Sequence, residues 1–323
     1  MKYIKRIITA MAFLAGLLVL LYFSSKIFMP KNNTKEEGME YEAANGILAE
    51  KENTIDVLFL GDSESYSSII PMQIWNDSGI TSYNCSNGGQ NLSYAYTLLH
   101  RACKGQNPKL VFLEVNEIYR SQSVANLLYD EACEHFPVLR YHDRWKNMDL
   151  SKITSTPEYT SRQFDKGYIY VTTTKPSEEE EEDETRLPTK EKESISFLNR
   201  QIVRAMKRHC DSIGAQLVLI SVPSTKNWSY KRHNGISHLA EDIGCEFIDM
   251  NLLNDELQID WTHDTRDQGD HLNYKGACKV TKYLSEYLIA KSGLPGHKGD
   301  PEFVQWEEDY KLFEEEIKHE KAA

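Results

Sequence analysis

Serine, histidine and aspartate together perform acyl transfer, and this chain carries all three where apolar segments give way to loops. Ser63 follows the run Val57-Leu58-Phe59-Leu60 and the pair Gly61-Asp62. A short apolar run broken by glycine reads as a buried strand, so Ser63 falls at the carboxyl edge where open α/β sheets place their chemistry. Far downstream, His271 stands just before a helix-like segment, with Asp267 and Asp270 close by. A serine hydroxyl becomes nucleophilic when an imidazole takes its proton, and a carboxylate holds that imidazole in the required tautomer. The same residues also have a plainer reading. Asp62 or Ser63 would cap the following helix, and His271 would be an ordinary surface or core histidine.

Other predicted strand ends are polar too. The loop from Asn84 to Gln90 contains Gly88-Gly89, and glycine permits the positive φ that a tight turn needs. Leu110-Val111-Phe112-Leu113 reads as a second buried strand and runs into Glu114-Val115-Asn116-Glu117. Residues 216–222 and 245–250 read as further strands, and helices are expected over 92–103, 121–135, 193–213, 228–243 and 274–290. Strands alternating with helices predict a three-layer α/β/α fold with a mostly parallel central sheet.

In the order of these motifs, residues 55–288 resemble the SGNH (GDSL-like) hydrolase superfamily, apart from a middle insertion. The resemblance implies a flavodoxin-like sheet and a serine-dependent activity without cofactor or metal. Gly61-Asp62-Ser63 matches the first block, which implies Ser63 as nucleophile. Gly89 aligns with the second block and Asn116 with the third. Their amides, with that of Ser63, would form the oxyanion hole. Glu114 and Glu117 stand where that third block usually has glycine and aspartate. His271 matches the fifth-block base, but the residue three before it is Gln268 rather than aspartate. Asp267 or Asp270 would then orient the imidazole, with Asp267 preferred because adjacent side chains diverge.

The layout of anchor, insertion and the ending His271-Leu272-Asn273-x-x-Gly276-Ala277 is similar to a membrane-anchored bacterial subgroup that acylates envelope polymers. This implies an esterase or O-acyltransferase acting on acyl esters, acetyl foremost, of a cell-envelope carbohydrate or related polymer. A membrane acyl-donor protein would be its partner. His142, Arg144 and Trp145 are candidate pocket-wall residues, with Trp145 stacking on a sugar ring; packing and surface roles compete equally. The rival function is a non-catalytic SGNH-fold binding or scaffolding module, motivated by Glu114 and the shifted acid.

The net charge of −12 argues against nucleic acid, whose phosphates need a basic surface. The six cysteines include no Cys-x-x-Cys pair and read as buried thiols. Lys2, Lys5 and Arg6 precede the apolar run from Ile7 to Phe23. Residues 1–26 are therefore expected to be a cytoplasmic start and single membrane span, with the rest outside. A cleaved signal peptide is the rival, but Phe23 stands where a small residue is wanted. Residues 27–52 read as a polar linker, and 53–292 as the α/β domain with an insertion at about 136–193. The acidic run 178–184 within it reads as a solvated loop. Residues 293–323 carry a stripe of Phe303, Trp306, Tyr310, Phe313 and Ile317, expected to dock as an amphipathic helix. The full-length chain should stay with membranes through an alkaline wash and keep residues before Ser25 at its mature N-terminus. Recovery in the soluble fraction, or an N-terminus beyond Ser25, would rule the span out.

Overall fold

The computed structural model describes residues 2–146, 148–177 and 186–322. Five short segments form strands: β1 Val57–Gly61, β2 Ser82–Ser86, β3 Leu110–Glu114, β4 Gln216–Ser221 and β5 Glu246–Asp249. All pair in parallel, in the order β2-β1-β3-β4-β5. Parallel strands are covered on both faces, which is why β1 and β3 are nearly unbroken apolar runs. The order reverses between β1 and β3, and a crevice opens outside the carboxyl ends at such a point. Ser63 follows β1 there, and Asn116 follows β3.

The helices of six residues or more are α1 Lys2–Phe28, α2 Ser63–Ser68, α3 Pro71–Ser78, α4 Leu92–Ala102, α5 Val124–His135, α6 Phe197–Ser212, α7 Tyr230–Ile243, α8 Tyr274–Tyr287 and α9 Val304–Ala322. Phe59 and Phe112 stack on one sheet face at 5.1 Å, in a core shared with Ile69, Ile74, Val280 and Leu284. Helices α6 and α7 begin later than their apolar patterns predict. Ser196 and Ser229 take N-cap positions, each accepting from the amide three residues on, and so set the first turns. Strand β2, Ser-Tyr-Asn-Cys-Ser, was not expected, because its polar residues hide a strand that is buried throughout.

The chain divides into two compact units. The first joins Met1–Glu42 to Val124–Ser161 and contains α1, long and apolar enough to cross a membrane. The second joins Ala43–Ser123 to Arg162–Ala323 and contains the whole sheet. Residues 27–52 differ from the expected linker. Lys31, Asn33 and Met39 are buried in the first unit, and Asn45, Ile47 and Glu50 in the second. The insertion is likewise divided, since its later part, with Lys166 and Tyr168 buried, belongs to the second unit. The acidic run 178–184 lies outside the described residues.

The C-terminal stripe packs down as its spacing predicts. Phe303, Trp306, Phe313 and Ile317 are buried, and Trp306 lies 5.5 Å from Trp75. Beneath it, the fully buried Lys166 ammonium lies 2.7 Å from Glu50 Oε1 and 2.6 Å from Asp309 Oδ2. Removing one partner of a buried ion pair leaves uncompensated charge and costs roughly 3–5 kcal/mol. Lys166→Met should lower stability to urea by about that much, and adding Glu50→Gln and Asp309→Asn should recover most of the loss. A single variant as stable as wild type would show that the cluster does not hold α9.

Candidate active site

Four segments of the second unit converge at the carboxyl edge of the sheet. His271 Nε2 lies 2.7 Å from Ser63 Oγ, and its Nδ1 lies 2.7 Å from Asp267 Oδ2. Asp267 Oδ1 also accepts from the His271 backbone N–H at 2.7 Å, so one carboxylate fixes both ring and main chain. With Nδ1–H donated to Asp267, Nε2 is left to accept the serine proton. Asp270 stands farther off, with its Oδ2 3.5 Å from Nδ1, and turns its other oxygen to Asn227 at 2.7 Å. Ser63 and His271 are both half-buried, open enough for a substrate to reach.

The loop makes room for the displaced acid. Gln268 and Gly269 both adopt positive φ, 64° and 88°, so the chain turns back and Asp267 reaches the ring from four residues away. Gly269 is obligatory there, since an added Cβ would come 1.9 Å from Thr225 Oγ1. Thr265 closes the loop, its hydroxyl donating to the His271 carbonyl at 2.9 Å and accepting from Gly269 N–H at 2.8 Å. Two other segments brace it. From the loop after β4, Thr225 N–H donates to Gly269 O at 2.8 Å and Ser224 Oγ to Asp270 O at 3.0 Å. From the insertion, Lys175 N–H donates to Thr265 O at 3.1 Å, and Gln268 N–H to Lys175 O at 3.0 Å.

Asn116 is held from both sides. Its Nδ2 donates to Asp62 Oδ2 at 3.0 Å, and its Oδ1 accepts from Arg232 at 3.3 Å. An amide nitrogen carries two N–H groups, so one can face Asp62 while the other serves an oxyanion. Glu114 occupies the place of the usual glycine without disturbance. Its carboxylate accepts from the Asn116 backbone N–H at 2.9 Å. Its Cβ lies where glycine at position 61 leaves space, 2.7 Å from where a Cβ on Gly61 would sit. Gly89 lies on the exposed loop beyond β2, beside the Ser63 edge, with φ 66°.

His142, Arg144 and Trp145 are in the first unit, not the one that bears Ser63. Arg144 acts there as a structural clamp rather than a substrate ligand. Its guanidinium donates to the carbonyls of Phe28 at 2.7 Å and Met29 at 2.8 Å, and to Glu37 at 3.1 Å. His142 Nδ1 lies 3.1 Å from the Leu139 carbonyl.

Sequence reasoning named Asp62, Glu114 and Glu117 but did not foresee that they would be buried together with Glu64 behind Ser63, nor the groups that hold them. Asp62, Glu64, Glu114 and Glu117 are all buried. Burial, then neighbouring carboxylates, pushes Glu64, Glu114 and Glu117 well above the usual carboxylate range. Arg120 pairs with Asp62, while Asn227 donates to both Glu64 at 2.5 Å and Asp270 at 2.7 Å. Glu64, Asp270 and His271 each bring a ligand atom within 4.8 Å of the others, the grouping most able to hold a metal among the described residues. The Asn227 amide already bridges its two carboxylates. Asn227 lies on the loop after β4, so the polar-after-strand signal that marked Asn116 also pointed to it, whereas Arg232 sits in the first turn of α7, where no such signal applies.

No family profile matches the chain, and no curated protein matches it. Solved structures similar to it are GDSL-type lipolytic proteins, esterases and acylhydrolases. An acetyl xylan esterase is 14% identical with a TM-score of 0.40, over 73% of this chain and 100% of its own. The esterase EstA from Pseudoalteromonas is 12% identical with a TM-score of 0.39, over 74% and 98%. A lipolytic G-D-S-L protein from Desulfitobacterium hafniense is 13% identical with a TM-score of 0.39, over 72% and 99%.

A buried carboxyl with a raised pKa favours the folded state at low pH, and that advantage is lost as pH rises through its folded value. Glu117→Gln should therefore match wild type near pH 4. It should gain stability over wild type by about 1.4 kcal/mol per pH unit above roughly 4.3, until the folded pKa is passed. Urea midpoints from pH 4 to 9 measure this, and parallel curves would refute a buried titrating Glu117.

Proposed function

We propose that the protein is a membrane-anchored serine esterase or O-acyltransferase acting on acyl esters, acetyl foremost, of a cell-envelope carbohydrate or related polymer. The observation that carries the reading is the Ser63–His271–Asp267 line, with 2.7 Å at each join. Ser63 Oγ attacks the ester carbonyl while its proton passes to His271 Nε2. The oxyanion is held by the backbone N–H groups of Ser63 and Gly89 and by the Asn116 amide. One such donor is worth about 3–4 kcal/mol of barrier. Collapse expels the alcohol, which takes the proton from His271, and leaves acyl-Ser63. Water then releases the acid, or a sugar or polyol hydroxyl accepts the acyl group, with His271 again the base. The Asp267 carboxylate stabilises the imidazolium formed in each half.

The binding-module alternative, motivated by Glu114 and the shifted acid, would be favoured by an imidazole out of reach of the serine, and here the ring is within hydrogen-bond reach. Lys2, Lys5 and Arg6 before the α1 span support a cytoplasmic N-terminus and an outward catalytic unit. In that position an acylated polymer is the accessible substrate, and a membrane acyl-donor protein is the matching partner for the transferase form.

A fluorophosphonate probe should label wild type at Ser63, and Ser63→Ala and His271→Ala should each lose nearly all turnover of a small acetyl ester while folding normally. The two losses should not add, because the groups act as one unit. Asp267→Asn should approach the His271→Ala loss, and Asp270→Asn should cost much less. Absence of both labelling and turnover in wild type would defeat the catalytic reading.

A further inference from the structure

The first unit carries an exposed aromatic side chain that the proposed chemistry does not use. Trp145 is 65% exposed on the 3-10 turn His142–Lys146, whereas Trp75, Trp228 and Trp306 are buried and Trp261 is partly so. The depth of that turn relative to α1 is fixed by hydrogen bonds within the unit. Helix α1 is exposed along nearly all of its apolar run, and becomes covered from Ser24 onward, with Ser25 buried. The covering segment is the short helix Val138–Tyr141 and the turn after it. Val138 N–H approaches Ser25 Oγ at 3.4 Å, and Arg144 clamps the Phe28 and Met29 carbonyls.

Phe28 lies five residues beyond Phe23, the last residue of the apolar run. At 1.5 Å per residue that is about 7.5 Å along the helix. The headgroup layer on one side of a bilayer is roughly 5–8 Å thick. A side chain next to the Arg144 clamp is therefore level with the headgroups when the apolar run fills the hydrocarbon core. Tryptophan suits that layer, since its flat ring is apolar and its N–H can meet polar groups. Lys146 Nζ stands 5.9 Å from the ring centroid and 3.1 Å from Asp143 Oδ1, so the turn presents charge beside the ring as well. Tyr129, 50% exposed, adds a second aromatic, its hydroxyl bonding the Leu139 carbonyl at 3.2 Å.

We propose that Trp145 inserts into the headgroup layer of the bilayer, giving the first unit a second hold on the lipid surface besides its spanning helix. The inference rests on α1 being a membrane span. The occupant is lipid rather than a protein partner, because the turn is hydrogen-bonded to the end of that span.

The test uses the full-length chain reconstituted in phosphatidylcholine vesicles containing a spin-labelled lipid whose quencher sits at headgroup depth. Helix α1 contains no tryptophan, so lipid-dependent quenching reports on the other unit surfaces alone. Wild type should lose part of its tryptophan emission on adding the quencher lipid, and Trp145→Phe should lose that quenching while keeping its melting temperature. Equal quenching in the two proteins, or none in wild type, overturns the proposal when the protein floats with the vesicles. That includes the case in which Trp145 is covered by a second copy or another protein. Failure to float would instead refute the span on which the inference rests.

Discussion

The site depends on where the Asp62 carboxylate sits. It is fully buried and accepts hydrogen bonds from its own helix start, through Glu64 N–H, and from the turn after β3, through Asn116 Nδ2 and Arg120. One oxygen caps the helix that begins at Ser63, and the other holds the Asn116 side-chain amide. Buried carboxylates are tolerated only when donors surround them. The two readings of Gly-Asp-Ser fall on different residues. Asp62 caps the helix, which leaves Ser63 Oγ turned to the imidazole.

Crowding negative charge at this edge has a physical consequence. Burial first, and neighbouring carboxylates second, push Glu64, Glu114 and Glu117 well above the usual carboxylate range. Asp267 keeps a different environment. It is partly exposed, with Arg266 at 3.7 Å and the His271 backbone N–H at 2.7 Å. The acid beside the imidazole is thus better hydrated than the carboxyls buried behind Ser63.

The histidine loop is positioned from outside itself. A parallel sheet aligns the strand ends that carry Ser63 and Asn116, but His271 arrives on a loop beyond the last strand, closed on itself by an antiparallel bridge between Thr265 and Leu272. The segment through Lys175 and the loop after β4 supply further hydrogen bonds. The second half of the insertion therefore braces the loop that carries His271. Its first half builds the unit that contains α1.

From residue pattern alone, the α/β class, four of the five strands and the placing of Ser63 and Asn116 after strand ends were legible, because buried strands are apolar and their ends are polar. The stripe of Phe303, Trp306, Phe313 and Ile317 was legible for the same reason, since helical spacing determines which residues share a face. Strand β2 was hidden because Ser, Asn and Cys can be buried when their polar groups are bonded, as Asn84 is to Ser65 at 3.1 Å. The choice between Asp267 and Asp270 belonged to tertiary structure, because it turns on two positive-φ residues whose effect on side-chain direction no spacing rule contains. So did the role of Arg144. A guanidinium looks alike in sequence whether it meets a substrate or the last carbonyls of a helix, and only the fold brings residues 28 and 144 together.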